Sequence, residues 1–312
     1  ERRVALASAV GYLFILADGD RNTYTATYDG WLFTYIFMQG FFFALMALFL
    51  HALRTDRLRW YAGIGVLLGL TFLGHTAPAL IFGLIFALVM LIDLLQVWDS
   101  DLDSPDVYRL SLRGLIVLGL TLLVSAPLLA IVIGHYGLNT LNDIPATFRS
   151  VLLIDNLGLF LAQQLTLPTV IAAVGLISVF KWERQDRARQ LLIAWLGITV
   201  GMLGYDYIVQ VFERIQVDLP TIIPSWHFVV YLEAVKAVFF GYGLLITARF
   251  IVGMAVYLVS NIDLTAARHK QIVQGTFIGL ILISMAMSYP TYRERDEFTF
   301  ARAESQFISE VM

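Results

Sequence analysis

The chain has 312 residues, of which 59% are hydrophobic and 14% charged, and its formal net charge is −3. Soluble domains are about 45–50% apolar and 25% charged, so this composition indicates a membrane protein. The absence of cysteine excludes disulfides, thiolate metal sites and cysteine nucleophiles. Because no block of basic residues is present, we expect no nucleic acid among the partners.

Apolar blocks long enough to cross a bilayer as helices, which takes about 20 residues, follow one another along the chain. They predict an all-α fold, a polytopic transmembrane helix bundle with about nine membrane-spanning helices. The first block is short, and the third is tight for a full crossing. The nine blocks are Val4–Ala17, Trp31–Leu53, Tyr61–His75, Ala79–Val97, Gly114–Gly134, Leu157–Phe180, Leu191–Phe212, Phe228–Ser260 and Ile272–Ser288.

Two regions are predicted from this pattern. Residues 1–288 form a transmembrane helical domain, which we expect to be truncated at its N-terminus, and residues 289–312 begin an extracytoplasmic soluble segment. At about 1.5 Å per residue, the block Phe228–Ser260 is too long for one simple crossing. We expect one long, tilted or broken helix there rather than a hairpin, with Gly241, Gly243 and Gly253 as the places to bend.

The distribution of lysine and arginine predicts the orientation, because these residues accumulate in cytoplasmic loops. With the N-terminus inside and nine crossings, 13 of the 21 basic residues fall in inner segments and six in outer segments. Two more, Lys236 and Arg249, lie within the membrane. The same parity predicts an extracytoplasmic C-terminus.

The eighth block carries His227, Glu233 and Lys236 in an apolar setting. An ionisable group in hydrocarbon costs at least about 2.5–3.5 kcal/mol on insertion scales and usually marks a site or a pathway. Glu233 and Lys236 are three residues apart, so on a helix they share a face and can neutralise one another. They are either a packing pair or a phosphate contact in which Glu233 holds Lys236. His227 is either an interfacial histidine or a contact for an anionic headgroup.

Two further candidates lie near the predicted outer ends of helices. Asp206, in Gly204-Tyr-Asp-Tyr207, is a third acid that could be the counter-charge of Lys236. His75, in Gly74-His-Thr-Ala-Pro78, occupies a tight connection between two helices. A structural role is the favoured interpretation of His75, with substrate binding as the alternative.

The first predicted outer loop is rich in acids and hydroxyls, including Asp18, Asp20 and Asp29. Asp18 and Asp20 are hard oxygen donors of the kind that a divalent metal ion binds. A solvated glycine-containing turn is the alternative interpretation. The Walker loop, the dinucleotide fingerprint, HExxH and GxSxG are all absent from the sequence.

Three segments carry a resemblance to a known superfamily. Arg59–Ala79, a glycine-rich helix that ends in His75, resembles a segment of bacterial multi-pass glycosyltransferases of the GT-C superfamily. Leu219–Phe228, followed by Tyr231-Leu232 and Phe240-Gly241, resembles a later outer loop and helix of the same proteins. Tyr292–Met312 resembles the start of their extracytoplasmic domain.

The resemblance implies an enzyme that transfers a sugar from a polyprenyl-phosphate donor on the extracytoplasmic face of the bacterial inner (plasma) membrane. It implies an outer-loop carboxylate as base or metal ligand, for which Asp18, Asp20 and Asp29 are the candidates. By position, His227 and Lys236 would contact the lipid phosphate. The implied partners are the lipid bilayer and a polyprenyl-phosphate-linked sugar, and a divalent metal ion is the one cofactor that it suggests.

Two other functions compete with glycosyl transfer. In a transporter or flippase, Asp206, Glu233 and Lys236 would line a pathway. In a non-catalytic membrane subunit, the buried charges would only fix helix packing. An outward-open cavity at Glu233 and Lys236 favours transfer, a midplane cavity favours transport, and a dry contact between the two favours the subunit.

Overall fold

Every regular element in the described part of the chain is a helix. The computed structural model describes residues 2–15, 34–98, 105–135, 157–163, 165–181, 186–217, 219, 226–258 and 265–311. The helices are α1 (Arg2–Val10), continued by a π-helical turn (Gly11–Ile15), α2 (Thr34–Thr55), α3 (Leu58–Gly74), α4 (Thr76–Trp98), α5 (Pro105–Gly134), α6 (Leu157–Gln163), α7 (Leu167–Phe180), α8 (Arg187–Arg214), α9 (Trp226–Leu258) and α10 (Ala266–Val311).

Six of these helices are long and apolar enough to cross a membrane, which confirms a helical multi-pass membrane protein. Their spanning segments are Phe37–Thr55, Thr76–Val97, Asp106–Gly134, Arg187–Arg214, Phe228–Leu258 and Ala266–Tyr289. The helix α3 and the helix α7 are apolar but shorter, with 17 and 14 residues. The crossings predicted at these two helices and at α1 stay predictions.

The sixth predicted block is not one helix. Leu157–Phe180 was predicted as a single crossing, but α6 ends at Gln163 and α7 begins at Leu167. Thr166 caps the new helix, because its hydroxyl oxygen accepts a hydrogen bond from the Thr169 amide at 3.4 Å. Pro168 stands in the first turn, where its missing N–H costs nothing.

The eighth predicted block is one helix, as expected. α9 runs through 33 residues and includes Gly241, Gly243 and Gly253 without a break in its helical structure. The last predicted block also belongs to one helix, since α10 continues from Ala266 to Val311. Its spanning segment ends at Tyr289, close to the predicted boundary at residue 288.

The described residues divide into two compact units, and each is described by itself. The first unit comprises Glu1–Gly30, Val151–Glu183 and Phe228–Met312, and the second comprises Trp31–Ser150 and Arg184–His227. The first unit therefore contains α1, α6, α7, α9 and α10. The second contains α2, α3, α4, α5 and α8.

In the second unit, α3 packs closely against α5. A Cβ added at Gly65 or Gly69 would meet the α5 backbone at Val117 or Thr121, so only glycine allows this approach. The Thr121 hydroxyl donates a hydrogen bond to the Gly65 carbonyl at 3.2 Å across the interface. Small residues that bring helix backbones together are the usual basis of packing in membranes.

Aromatic side chains join the other helices of the second unit. Phe42 of α2 meets Trp195 of α8 edge-on, with ring centroids 5.3 Å apart. Phe49 of α2 contacts Phe82 and Phe86 of α4 at 5.9 and 5.0 Å. Edge-to-face and tilted contacts of this kind add to the dispersion energy that holds helices together.

In the first unit, α9 packs closely against α1 and α7. Gly241 lies against Val4 and Ser8 of α1, and Gly243 lies against Ile171 of α7. A Cβ at either glycine would overlap the neighbouring backbone, so these two positions allow close packing, and the bend predicted at Gly241, Gly243 or Gly253 stays a prediction. α1 also runs parallel to α10, since the Arg3 guanidinium donates to Gln274 at 3.2 Å and the Ser288 hydroxyl donates to the Ile15 carbonyl at 3.4 Å.

Candidate functional site

The Glu233–Lys236 pair forms within α9. The Lys236 ammonium donates to Oε1 of Glu233 at 2.7 Å. The Glu233 side chain is 6% exposed, while the Lys236 side chain retains 14% exposure. The predicted sharing of one helix face is therefore confirmed, and Lys236 is the more accessible partner.

The π-helical turn of the first unit faces the same part of α9. The Glu233 carboxylate interacts electrostatically with the Tyr12 phenol, and Tyr12 interacts in turn with Tyr231. Phe240 of α9 packs against Gly11 at the start of that turn. Because π-helical turns are rare and occur often at functional sites, Tyr12 belongs with the candidate residues although its sequence carries no motif.

Asp206 lies in α8, within the second unit. It is buried, and its Oδ2 accepts a hydrogen bond from the Gln210 side chain at 3.1 Å. The two residues are four apart on one helix, so this contact is local. The suggested pairing of Asp206 with Lys236 would join the two units and stays a prediction.

His75 is the junction between α3 and α4. Its backbone N–H closes the last turn of α3 on the Thr71 carbonyl at 2.8 Å. Its Nδ1 accepts a hydrogen bond from the Ala77 amide at 3.2 Å and so caps the start of α4. Burial lowers the pKa of the imidazole below the usual value of histidine, so the neutral form that can accept this bond is favoured. This geometry fits the structural role that the sequence favoured.

The structure does not describe the side chains of the remaining predicted site residues. His227 is in the first turn of α9, but its side chain is not among those described. Asp18, Asp20 and Asp29 lie in the stretch between the π-helical turn and α2, outside the described residues. In the parts of the chain that the structure describes, no three acidic, histidine or cysteine side chains are placed to hold a metal ion.

A second charged site was missed by the sequence analysis. Asp93, buried in α4, accepts hydrogen bonds on Oδ1 from Arg187 at 2.6 Å and from Gln190 at 2.7 Å. Both partners belong to α8, so this contact joins two helices. The signal was present, since a lone carboxylate within the apolar block Ala79–Val97 is the kind of intramembrane charge that marks a site.

An ion pair between Arg113 of α5 and Asp56 lies at the same end of the second unit. The Arg113 guanidinium also lies over the Tyr61 ring, 5.4 Å from its centroid. Tyr61 is fully buried, interacts electrostatically with both ion pairs, and its hydroxyl has no hydrogen-bond partner among the described residues. Three predicted inner segments, which contain Asp56, Arg113 and Arg187, thus meet at one end of this unit.

Comparisons with known proteins identified no family for the chain. No protein-family model, no curated protein and no solved structure matches it. The resemblance to GT-C glycosyltransferases therefore rests on the three sequence segments described above.

Proposed function

We propose that the chain is the membrane domain of a GT-C-type glycosyltransferase that uses a polyprenyl-phosphate sugar donor on the extracytoplasmic face of a bacterial inner membrane. One observation carries the proposal: a lysine within a candidate membrane span keeps part of its surface exposed while a buried carboxylate holds its ammonium. Retaining such charges in a bilayer is costly, so they are usually functional. The choice of glycosyl transfer comes from the sequence resemblance.

In this proposal the Lys236 ammonium donates a charge-assisted hydrogen bond to an oxygen of the donor phosphate. Glu233 fixes the position of the ammonium, so the phosphate oxygen meets a donor that is already oriented. His227 contributes a second contact at the headgroup level. One of Asp18, Asp20 and Asp29 removes the proton of the acceptor hydroxyl as that oxygen bonds to the sugar and the polyprenyl phosphate leaves.

The test is binding of a polyprenyl phosphate to the purified chain in detergent, compared between Lys236→Ala, Lys236→Arg and the unchanged protein. We expect the alanine variant to lose at least about tenfold in affinity, because a charge-assisted hydrogen bond is lost. The arginine variant should keep most of the affinity. Lys181→Ala is the matched control, since Lys181 is an exposed lysine of the same unit. Unchanged binding by Lys236→Ala would overturn the assignment of the phosphate contact.

A non-catalytic membrane subunit is the second candidate function. The observation that favours it is the direct contact between Glu233 and Lys236, which pairs the two opposite charges without a ligand. On this alternative, Lys236→Ala should lower the thermal stability of the protein and leave lipid-phosphate affinity unchanged. The two measurements on one variant therefore separate the candidates. A transporter would require a third result, namely movement of the labelled lipid between leaflets of a vesicle.

A further inference from the structure

The corner between α2 and α3 carries a concentration of exposed positive charge. Arg54, Arg57 and Arg59 occur within six residues and are all exposed. Among the described residues, the side chains of Arg54 and Arg57 make no ion pair or hydrogen bond, and Arg59 stacks on Trp60 at 5.0 Å. We refer to residues 54–60 as the basic corner.

Asp56, the acidic residue of the basic corner, forms its ion pair with an arginine of another helix. Asp56 adopts a left-handed conformation with a φ of 55°, which aspartate tolerates better than most residues. Its amide closes the last turn of α2 on the Ala52 carbonyl at 2.9 Å. Its carboxylate binds Arg113 of α5, whose side chain is only 14% exposed. Because Asp56 is paired with Arg113, its carboxylate does not compensate the positive charges of the three exposed arginines.

The basic corner lies where a membrane span ends. The spanning segment of α2 ends at Thr55, within the corner. Leu58 is 42% exposed, and the half-buried Trp60 has the amphipathic ring that favours the bilayer interface. A set of exposed arginines at this depth meets lipid headgroups rather than bulk water.

We propose that the basic corner binds the phosphate-bearing headgroup of an anionic phospholipid in the leaflet at this end of the second unit. Clustered arginines beside a span are attracted to anionic lipids. The planar guanidinium also forms paired hydrogen bonds with phosphate oxygens, which a point charge does not. This site is on α2 and α3 and does not depend on the proposed function at α9.

The experiment titrates phosphatidylglycerol into the full chain in a neutral detergent and counts bound lipids by native mass spectrometry. Phosphatidylcholine is the comparison, because its zwitterionic headgroup carries a phosphate but no net charge. We expect R54Q/R57Q/R59Q to bind phosphatidylglycerol more weakly by a factor on the order of 100, roughly fivefold for each arginine. R54K/R57K/R59K keeps the charge and should retain the preference for phosphatidylglycerol over phosphatidylcholine.

The matched control removes three exposed cations from elsewhere in the chain, on α5, directly after α7 and on α9, R109Q/K181Q/R249Q. It lowers the net charge by the same amount and should bind phosphatidylglycerol like the unchanged protein. Equal affinity of the corner variant and this control would overturn the proposal, because binding would then follow net charge alone. Complete displacement of the lipid by inorganic phosphate would also overturn it in favour of a free-phosphate site. If the triple glutamine variant does not fold, Arg57→Gln alone should give the single-residue loss.

Discussion

Two ion pairs among the described residues each contain a buried carboxylate, and they differ in what they join. Glu233 and Lys236 are three residues apart on α9, while Asp93 of α4 and Arg187 of α8 are 94 positions apart. The N–O distances are nearly the same, 2.7 and 2.6 Å, so geometry alone does not distinguish them. The pairs differ in whether the ion pair remains formed when the helices separate.

Helices of a membrane protein persist in the bilayer after the packing between them is lost. Within a single segment, only a helix provides hydrogen-bond partners for the backbone N–H and C=O groups there. The pair on α9 can therefore remain formed in the unpacked state, whereas the pair between α4 and α8 must break. Contact energy that is present in both states contributes nothing to the free energy of unfolding. It follows that the α4–α8 pair supports the fold, and the α9 pair is available for another role.

The largest effect is expected at the pair between helices. Arg187→Met should lower the free energy of unfolding by about 2 kcal/mol, the usual contribution of a hydrogen bond to a charged group. The measurement is equilibrium unfolding in mixed detergent micelles. Arg109→Met is the control, since Arg109 is 65% exposed and lies 3.9 Å from Asp106 in a surface pair worth under about 1 kcal/mol. A variant at Arg187 that is as stable as this control would show that α4 and α8 are held by apolar packing alone.

A smaller effect on the free energy of unfolding is expected at His75. Its capping hydrogen bond from the Ala77 amide is local, but its burial depends on the packing of the helices. Because burial lowers the pKa of the folded imidazole, the unfolded state binds the proton more readily. Stability should be fully present above the unfolded pKa of about 6.5 and fall as the pH drops through the folded pKa. His75→Asn replaces the Nδ1 acceptor with an amide oxygen that does not titrate, so it should remove this loss between pH 7.5 and 5. A variant with the unchanged pH profile would assign the loss to other groups.

The sequence predicted contacts between residues that are close in sequence. It missed contacts that depend on which helices are neighbours. The spacing of Glu233 and Lys236 was enough to place them on one face. Thr166 and Pro168 were readable signals for the start of α7, but the apolar run across them concealed the break. Asp93 and Arg187 could not be paired, because nothing in either segment specifies that α4 and α8 are neighbours.

The glycines show the same limit. Gly241 and Gly243 were visible in the sequence, and a bend of the helix was the expectation for them. Their actual role depends on Val4 of α1 and Ile171 of α7, which approach from distant parts of the chain. Hydropathy therefore predicts the spans, while packing partners require the folded structure.

The smallest effect on the free energy of unfolding is expected at the Glu233–Lys236 pair of α9. Measuring it is the sharpest test of the difference between the two ion pairs. In a cycle of Glu233→Gln, Lys236→Met and the double variant, the coupling energy should stay below about 0.5 kcal/mol, as for a pair within one helix. The corresponding cycle of Asp93→Asn and Arg187→Met should give a larger coupling energy, up to about 1.7 kcal/mol, the upper end for such cycles between membrane helices. Added polyprenyl phosphate should then stabilise the unchanged protein and leave Lys236→Met unaffected, because only the former binds it. Equal coupling energies in the two cycles would mean that the α9 pair also holds helices together, and the role of Lys236 as a ligand contact would lose its physical basis.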